Sequence, residues 1–192
     1  MRRAPVLAAL LAAACATPPT VFEATSLRPE ARGRHYARIA VIYMNDDPRL
    51  RKTFGDSVVG FLRAWTAQAE RGGDLLPRSL YDADGDGKID ANVDRDLIRR
   101  RLQEAGFEAV LMASNVSEHG HSWHFEETGP EAHPAGAAEF LIETDLYDAA
   151  SGKVVWSAHS RTLNPENGVL LSQSYAGAVV DELVKNDLLR KR

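Results

Sequence analysis

Apolar residues recur along the chain, from His35 onward, as short runs and as stripes at helical spacing. The run ARIAVIYM at 37–44 contains several β-branched residues, which predicts a strand buried on both faces. The run FEAVLMASNV at 107–116 predicts a second strand. The segment AEFLIETDLYD at 138–148 alternates apolar and polar positions, and the turn DAASGK joins it to KVVWSAHSR at 153–161. These last two segments predict a β-hairpin.

Three other stretches place their apolar residues on one helical face. The first follows Asp47 and Pro48, an N-cap residue with proline at the first helical position, and we expect residues 72–73, both glycine, to end it. The second helix is expected at about 94–105 and the third at about 166–185. The three apolar stripes are Leu50, Phe54, Val58, Phe61, Leu62 and Trp65, then Leu97, Ile98, Leu102 and Ala105, and finally Leu171, Tyr175, Val179 and Leu183.

The order of these elements predicts a single α/β domain over residues 35–192. That order is strand, helix, Asp-rich loop, helix, three strands, helix, which indicates one mixed sheet packed by amphipathic helices. A chain of 192 residues is long enough to bury a core of its own. The expected core includes Ile39, Val41, Phe54, Val58, Leu62, Leu111, Ile142, Leu146, Trp156 and Val179.

The N-terminal stretch MRRAPVLAALLAAACATPP is typical of an export signal. Its apolar run from Val6 to Ala14 is too short to cross about 30 Å of hydrocarbon as a helix. Small residues before Cys15 resemble the lipobox of bacterial lipoproteins, although the leucine usual three residues earlier stands one place further back, as Leu11. The alternative is an ordinary secreted protein in which Cys15 is incidental. Cys15 is the only cysteine of the chain, which favours lipidation.

The chain therefore divides, on sequence grounds, into a signal peptide at 1–14, a lipidated Cys15 with a tether at 15–34, and the domain at 35–192. The tether mixes Pro, Thr, Ala and Arg. We expect a periplasmic location with a lipid anchor, in the outer rather than the inner membrane. The Asp-rich loop is inserted in the domain at 82–96.

The net charge of the chain limits the classes of molecule that it is expected to bind. The chain has 23 basic and 27 acidic residues, a net charge of −4, and removal of a signal peptide containing Arg2 and Arg3 makes the mature chain more acidic. An acidic chain without a basic run is a poor candidate for nucleic acid. The expected partners are the membrane, through the lipid at Cys15, and another envelope protein.

The strand RIAVIYM, the hairpin LYDAASGKVVWSA and the C-terminal amphipathic helix together resemble a broad set of small bacterial envelope lipoproteins. These share an α/β fold similar to the N-terminal domain of the periplasmic translocation protein TolB. The set includes curli-secretion lipoproteins and lipoprotein activators of peptidoglycan synthases. The resemblance covers roughly 35–45 and 139–189. It implies a fold and a compartment, and it carries no functional residues over to this chain.

The stretch DADGDGKIDANVD at 82–94 resembles a calcium loop of the EF-hand type. Such a loop offers side-chain oxygens at its first, third and fifth positions, a backbone carbonyl at the seventh, often a water held by the ninth, and a bidentate carboxylate at the twelfth. Gly87 stands where the chain must turn with positive φ, and Ile89 is expected to fix the loop to the core. The first five ligand positions hold Asp82, Asp84, Asp86, Lys88 and Asp90.

The twelfth position holds Val93, so a closing carboxylate must come from Asp94 or Asp96. We expect Asp94 to close the site and to cap the second helix, with Val93 turned inward. The predicted calcium affinity is weak, about 10⁻⁴–10⁻³ M, as in extracytoplasmic modules.

The alternative reading of the same stretch is an acidic turn. Aspartates before a helix favour its positive end by a few tenths of a kcal/mol each. That effect explains Asp90 and Asp94, but it does not explain strict alternation together with Gly87 and Ile89. Clustered carboxylates also repel one another unless a cation neutralises them.

A second group of candidate ligands lies in SEHGHSWHFEE, at 117–127, where His119, His121 and His124 fall within six positions. Imidazoles at this spacing suit Zn²⁺, Cu²⁺ or Ni²⁺. A solvent-exposed polar loop explains the same composition and is favoured. His35 and His159 stand alone and are expected to be surface or core residues.

Motifs of the common enzyme classes are missing from the sequence: it has no Gly-x-Ser-x-Gly elbow, phosphate-binding glycine loop or His-Glu-x-x-His helix. We therefore expect a protein that is not an enzyme, a lipid-anchored binding or assembly module stabilised by calcium. The alternative is a periplasmic transition-metal-binding protein, or a metal-dependent enzyme, that uses His119, His121 and His124.

Overall fold

The computed structural model describes residues 19–65, 68–73, 75–85, 89–115 and 139–190. Within these residues the chain forms one six-stranded sheet, three α-helices and two short 3₁₀ turns. The elements are β1 (Val21–Leu27), a turn at Pro29–Ala31, β2 (Arg38–Met44), α1 (Pro48–Leu62), β3 (Gln68–Arg71), a turn at Arg78–Leu80, α2 (Arg95–Glu104), β4 (Ala109–Asn115), β5 (Glu139–Asp148), β6 (Val154–Leu163) and α3 (Gly168–Lys185).

The sheet is mixed, with strand order β1-β6-β5-β4-β2-β3. Strand β2 runs parallel to β3 and β4, and every other neighbouring pair is antiparallel. The predicted hairpin of β5 and β6 is confirmed, with Leu146 opposite Trp156. The predicted α/β class, with one mixed sheet packed by helices, is therefore confirmed.

Strand β2 is buried on both faces, as its uninterrupted apolar run predicts. Alternate residues of a strand point to opposite faces, and those of β2 belong to two separate apolar clusters. Ile39, Val41 and Tyr43 join the cluster that includes residues of α1 and α3. Ala40 and Ile42 join the second cluster, which includes residues of α2 and of the Asp-rich loop.

All ten residues expected in the core are buried, and none is more than 4% exposed. The largest is Trp156, whose ring packs edge-on against Phe22. On the α1 side, the ring of Phe54 stacks on Tyr43 with centroids 4.2 Å apart. The apolar stripes of α1 and α3 thus meet the sheet as their spacing predicts, except that Phe61 of α1 is exposed.

Helix α1 begins as predicted and ends earlier than predicted. Asp47 is its N-cap and accepts a hydrogen bond from the Arg49 amide at 2.7 Å, with Pro48 at the first helical position. The helix stops at Leu62 instead of continuing to residues 72–73, and β3 follows at 68–71. This strand was missed because only one of its four residues, an alanine, is buried.

Strand β1 is the second departure from the predicted boundaries. Its residues were assigned to the tether, but they pair with β6 along the edge of the sheet, with Leu27 opposite Trp156. The strand is mostly exposed, so it lacks the apolar alternation that identifies half-buried strands. The folded domain therefore begins before His35 and includes most of the predicted tether.

The remaining helices agree with their predicted bounds to within two residues. Asn167 caps α3 by accepting a hydrogen bond from the Leu170 amide. Gly106, with φ of 76°, follows the last turn of α2, and the Phe107 amide donates to the Leu102 carbonyl there. No helix among the described residues is long and apolar enough to cross a bilayer.

Candidate functional site

The Asp-rich loop begins with a buried carboxylate. Asp82 is 1% exposed, and Arg78, in the 3₁₀ turn before it, holds one of its oxygens through Nε at 2.7 Å. Gly85, with φ of 81°, lies against the same guanidinium. Gly87, for which a positive φ is predicted, lies outside the described residues, so that expectation stays a prediction.

Two hydrogen bonds close the loop across its width. The Asp90 amide donates to the Tyr81 carbonyl at 2.8 Å, and the Asp90 carboxylate accepts from the Ala83 amide at 2.7 Å. The beginning and the ninth position of the predicted calcium loop are therefore adjacent. Such closure is what a single cation bound by both segments requires.

Asp94 has one of the two roles predicted for it. It is the N-cap of α2, and its carboxylate accepts a hydrogen bond from the Leu97 amide at 2.9 Å. Asp96, in the first turn, forms an exposed ion pair with Arg99 at 3.0 Å. The capping role of Asp94 is confirmed, and its role as a ligand stays a prediction.

The loop is attached to the sheet by apolar side chains. Tyr81 is 4% exposed and belongs to the second apolar cluster, and Ile89 and Val93 pack against that cluster. The expectations that Ile89 fixes the loop to the core and that Val93 turns inward are confirmed. The loop is thus part of the second core.

The predicted ligand set lies partly within the described residues. Asp82, Asp84, Asp90 and Asp94 belong to them, whereas Asp86 and Lys88 lie outside. Within the described residues, no three His, Cys, Asp or Glu side chains are arranged to hold a metal ion. The loop closure fits the predicted calcium site, and ligation stays a prediction.

The other predicted sites lie outside the described residues. They are the lipidation site at Cys15 and the histidine group of His119, His121 and His124. The two isolated histidines lie at the surface. His35 contacts Asp187 at 3.0 Å and His159 lies 3.9 Å from Glu143.

A cleft of about 50 Å³ adjoins the loop. Its walls are mostly apolar and come from the loop, α2, β4, β5 and the turn after β5. Arg95 and Arg99 of α2 border it, and Arg95 has no acidic partner among the described residues. The apolar walls are Ile89 and Val93 of the loop, Ile98 and Leu102 of α2, and Val110 and Met112 of β4.

Tyr147 of β5 also lines the cleft. Burial, together with the adjacent Asp145 carboxylate, raises the pKa of Tyr147 to about 12. Its hydroxyl donates to Asp145 at 3.3 Å. Tyr147 is therefore a neutral phenol at ordinary pH, and the charged groups that line the cleft are Arg95, Arg99 and Asp148.

Asp148, at the end of β5, forms a buried network that sequence reasoning missed. It is fully buried and pairs with Arg34 at 2.7 Å. One oxygen accepts from both the amide and the hydroxyl of Ser151 at 2.7 Å, and the other accepts from the Tyr36 hydroxyl. The available signal was an aspartate opening the turn with a serine three residues later, a pattern of Asx turns.

This network joins the β5–β6 turn to the segment before β2. Burial and the Asp148 carboxylate raise the pKa of Tyr36 to about 12. The contacts of Asp148 are all internal to the fold, which indicates a structural role for this residue.

No protein-family model matches the chain, and no curated protein matches it. Similar solved structures include a PelC dodecamer from Paraburkholderia phytofirmans, with a TM-score of 0.49, 17% identity, and coverage of 89% of this chain and 99% of that one. A PelC variant from the same organism has a TM-score of 0.47 and 16% identity, with coverage of 91% and 99%. Lipoprotein GNA1162 from Neisseria meningitidis has a TM-score of 0.40 and 15% identity, with coverage of 78% and 99%. Values this low transfer no function, partner or location to this chain.

Proposed function

We propose that this protein is a non-catalytic, lipid-anchored envelope module that binds another envelope protein and is stabilised by calcium in its Asp-rich loop. The observation that carries the proposal is the construction of that loop. Asp82 is buried at its start, Asp90 closes it, and Val93 packs it on the sheet. An ion that orders this segment would therefore stabilise the second core.

Calcium would be held by the carboxylates of Asp82, Asp84, Asp86 and Asp90, the carbonyl of Lys88 and the closing carboxylate of Asp94. The ion would supply the positive charge that these acids need in order to lie close together. Arg78 already neutralises part of that charge at Asp82, which fits a weak site. The proposed role of the ion is structural: it would stabilise the folded loop and take part in no reaction.

The binding role is supported by the cleft beside the loop. It offers apolar side chains to solvent under a rim that contains Arg95 and Arg99. A partner that places an apolar side chain there would bury it against Leu102 and Met112. The loop residues Ile89 and Val93 form one wall, so calcium and partner would act on the same surface.

The anchor is tested by replacing Cys15 with Ser in the full chain. We expect the wild type to fractionate with membranes and to carry acyl groups at Cys15 by mass spectrometry, and the variant to lose both properties. Unchanged mass and unchanged fractionation in the variant would refute the anchor. Ala150→Ser, an exposed small-residue change in the β5–β6 turn, is the matched control and should keep both properties.

The alternative function, transition-metal handling by His119, His121 and His124, predicts a different elemental composition. Under the proposal, protein purified without chelator should contain no stoichiometric transition metal, and calcium of the predicted weak affinity should bind only when it is added at millimolar concentration. Stoichiometric zinc, copper or nickel that disappears in the triple His→Ala variant would favour the alternative.

A further inference from the structure

We infer that the end of the domain that carries Val21, Leu163 and Val169 lies against the lipid bilayer. The inference rests on the proposed anchor at Cys15. It adds to that anchor a surface of the folded domain and a fixed orientation of the domain on the membrane.

Thr20 is the point at which the segment that follows Cys15 joins the folded domain. The Thr20 amide donates to the Ser174 hydroxyl at 2.9 Å, and the Thr20 hydroxyl lies 2.6 Å from that of Thr162. Thr20 is 8% exposed. These bonds fix the start of the folded chain between the end of β6 and α3.

Few residues separate this point from the predicted anchor. Only residues 16–19 lie between Cys15 and Thr20. At full extension five residue steps span about 18 Å, and two of the four residues are prolines, which favour an extended chain. An acylated Cys15 therefore keeps this end of the domain close to the lipid headgroups.

The same end exposes large apolar side chains. Val21 is the first residue of β1, Leu163 the last of β6, and Val169 lies in the first turn of α3. Their exposed fractions are 46%, 44% and 48%. The pairing of Val21 with Arg161 puts the start of β1 beside the end of β6. Apolar residues exposed where a short lipid tether enters the domain indicate contact with the bilayer.

Among the described residues at this end, carboxylates outnumber the one arginine. Arg161, between Val21 and Leu163, pairs with Glu23 at 3.0 Å and with Glu139 at 3.3 Å. Arg161 is therefore neutralised by its glutamate partners, and the contact should be apolar and should require no anionic lipid.

This orientation directs the cleft away from the membrane. Strand β5 starts at Glu139, beside Leu163, and ends at Asp148, which lines the cleft. Ten residues of strand span about 30 Å. The cleft and the β5–β6 turn then face the space in which a partner protein is met.

The test uses the full chain, with acylation of Cys15 verified by mass spectrometry, and one introduced thiol. Val169→Cys places a fluorescent label at the proposed contact, and Ala150→Cys places it in the exposed β5–β6 turn as a matched control. Each protein is reconstituted into phosphatidylethanolamine vesicles that contain brominated acyl chains. We expect the bromines to quench the label at position 169 several-fold more than the label at position 150.

A further variant separates apolar contact from simple proximity. Val21→Asp combined with Leu163→Asp, both at exposed positions, should lower the quenching at position 169 towards the control value. Equal quenching at positions 169 and 150, in acylated and vesicle-bound protein, would overturn the inference and leave the anchor intact. A chain without acyl groups at Cys15 would instead refute the proposed anchor, and the inference with it.

Discussion

On one face of the sheet, α1 and α3 cover a continuous apolar core, whereas on the other face α2 and the Asp-rich loop cover a smaller one. The first core contains Trp156, Phe54 and Tyr175, all at most 1% exposed. The second is built around Leu102 and Tyr81. The first face is thus stabilised by the burial of large side chains. The second depends more on a loop of carboxylates whose mutual repulsion must be offset.

The difference between the two faces indicates that the α1/α3 face provides most of the stability and that the α2 face is the one that responds to ligands. A core of interlocking apolar side chains tolerates little change. A loop held by a few hydrogen bonds, such as that between Ala83 and Asp90, opens at lower free energy. Ligand-dependent behaviour is therefore expected on the α2 face.

The largest effect is expected from Trp156→Ala on the α1/α3 face. It removes the largest fully buried side chain and should lower the free energy of unfolding by about 3–5 kcal/mol. Phe61→Ala is the matched aromatic control, since Phe61 is 42% exposed, and it should cost much less. Denaturant unfolding measures both, and equal losses would contradict the proposed distribution of stability.

The next effect concerns Asp148, which joins the β5–β6 turn to the segment before β2. Asp148→Asn removes the charge that faces Arg34 and should cost about 3 kcal/mol, the lower end for a broken buried pair because Arg34 is half-exposed. Asp145→Asn, on the same strand and only partly buried, should cost about 1 kcal/mol. Similar losses in the two variants, by thermal or denaturant unfolding, would show that the network is not structural.

The tyrosines allow the two faces to be compared by pH. Burial raises the pKa of Tyr43 and Tyr175 on the α1/α3 face, and of Tyr81 and Tyr147 on the α2 face, Tyr147 to about 12. Because the pKa of each tyrosine is higher in the folded state, its contribution to stability is intact below pH 10, near the pKa of an unfolded tyrosine. That contribution is lost as the pH rises from there through the folded-state pKa.

We therefore expect ultraviolet titration to show little tyrosinate at pH 10 and a cooperative rise with alkaline unfolding. The signals removed by Tyr147→Phe and by Tyr43→Phe should both fall within that cooperative rise. Titration of either residue near pH 10 without unfolding would be inconsistent with its burial.

The first core could be read from the sequence because its signals are local and repeated. Val58 and Leu62 fall at helical spacing, and Ile142 and Leu146 fall at strand spacing, so each element identifies its own buried face. Strands β1 and β3 lie at the two edges of the sheet, where burial is slight and no such pattern is required. The place of β1 depends on its pairing with β6, which is distant in sequence. The place of β3 depends on its pairing with β2, from which it is separated by α1.

The candidate site was predictable in part. The acidic alternation with Ile89 predicted a loop fixed to the core, and Asp94 was recognised as a helix cap, because both signals lie within a few residues. Two features could not be predicted from the sequence. The ion pair between Arg78 and Asp82 depends on how the backbone turns between them. The network of Asp148 depends on Arg34, which is far away in the chain.

Calcium binding tests the central claim, that the Asp-rich loop is an ion site which stabilises the α2 face. With an affinity of about 10⁻⁴–10⁻³ M, millimolar calcium should add about 1 kcal/mol to the free energy of unfolding. Asp84→Ala, which removes the side-chain oxygen at the third loop position, should abolish this gain. Asp187→Asn, an exposed change outside the loop, should preserve it.

The closing ligand is resolved by two further variants. If Asp94 closes the site, Asp94→Ala weakens both calcium binding and the start of α2, whereas Asp96→Asn leaves affinity nearly intact. If Asp96 closes it, the effects on affinity are reversed. Val93→Glu should strengthen binding only if the twelfth position still faces the ion.

The most direct measurement is therefore calorimetric titration of the chelator-treated wild type with calcium, with Asp84→Ala alongside and melting temperatures recorded in both states. We predict binding heat in the wild type, a higher melting temperature with millimolar calcium, and neither in Asp84→Ala. The absence of heat and of any melting shift in the wild type would contradict the account and would leave the stretch as an acidic turn before α2.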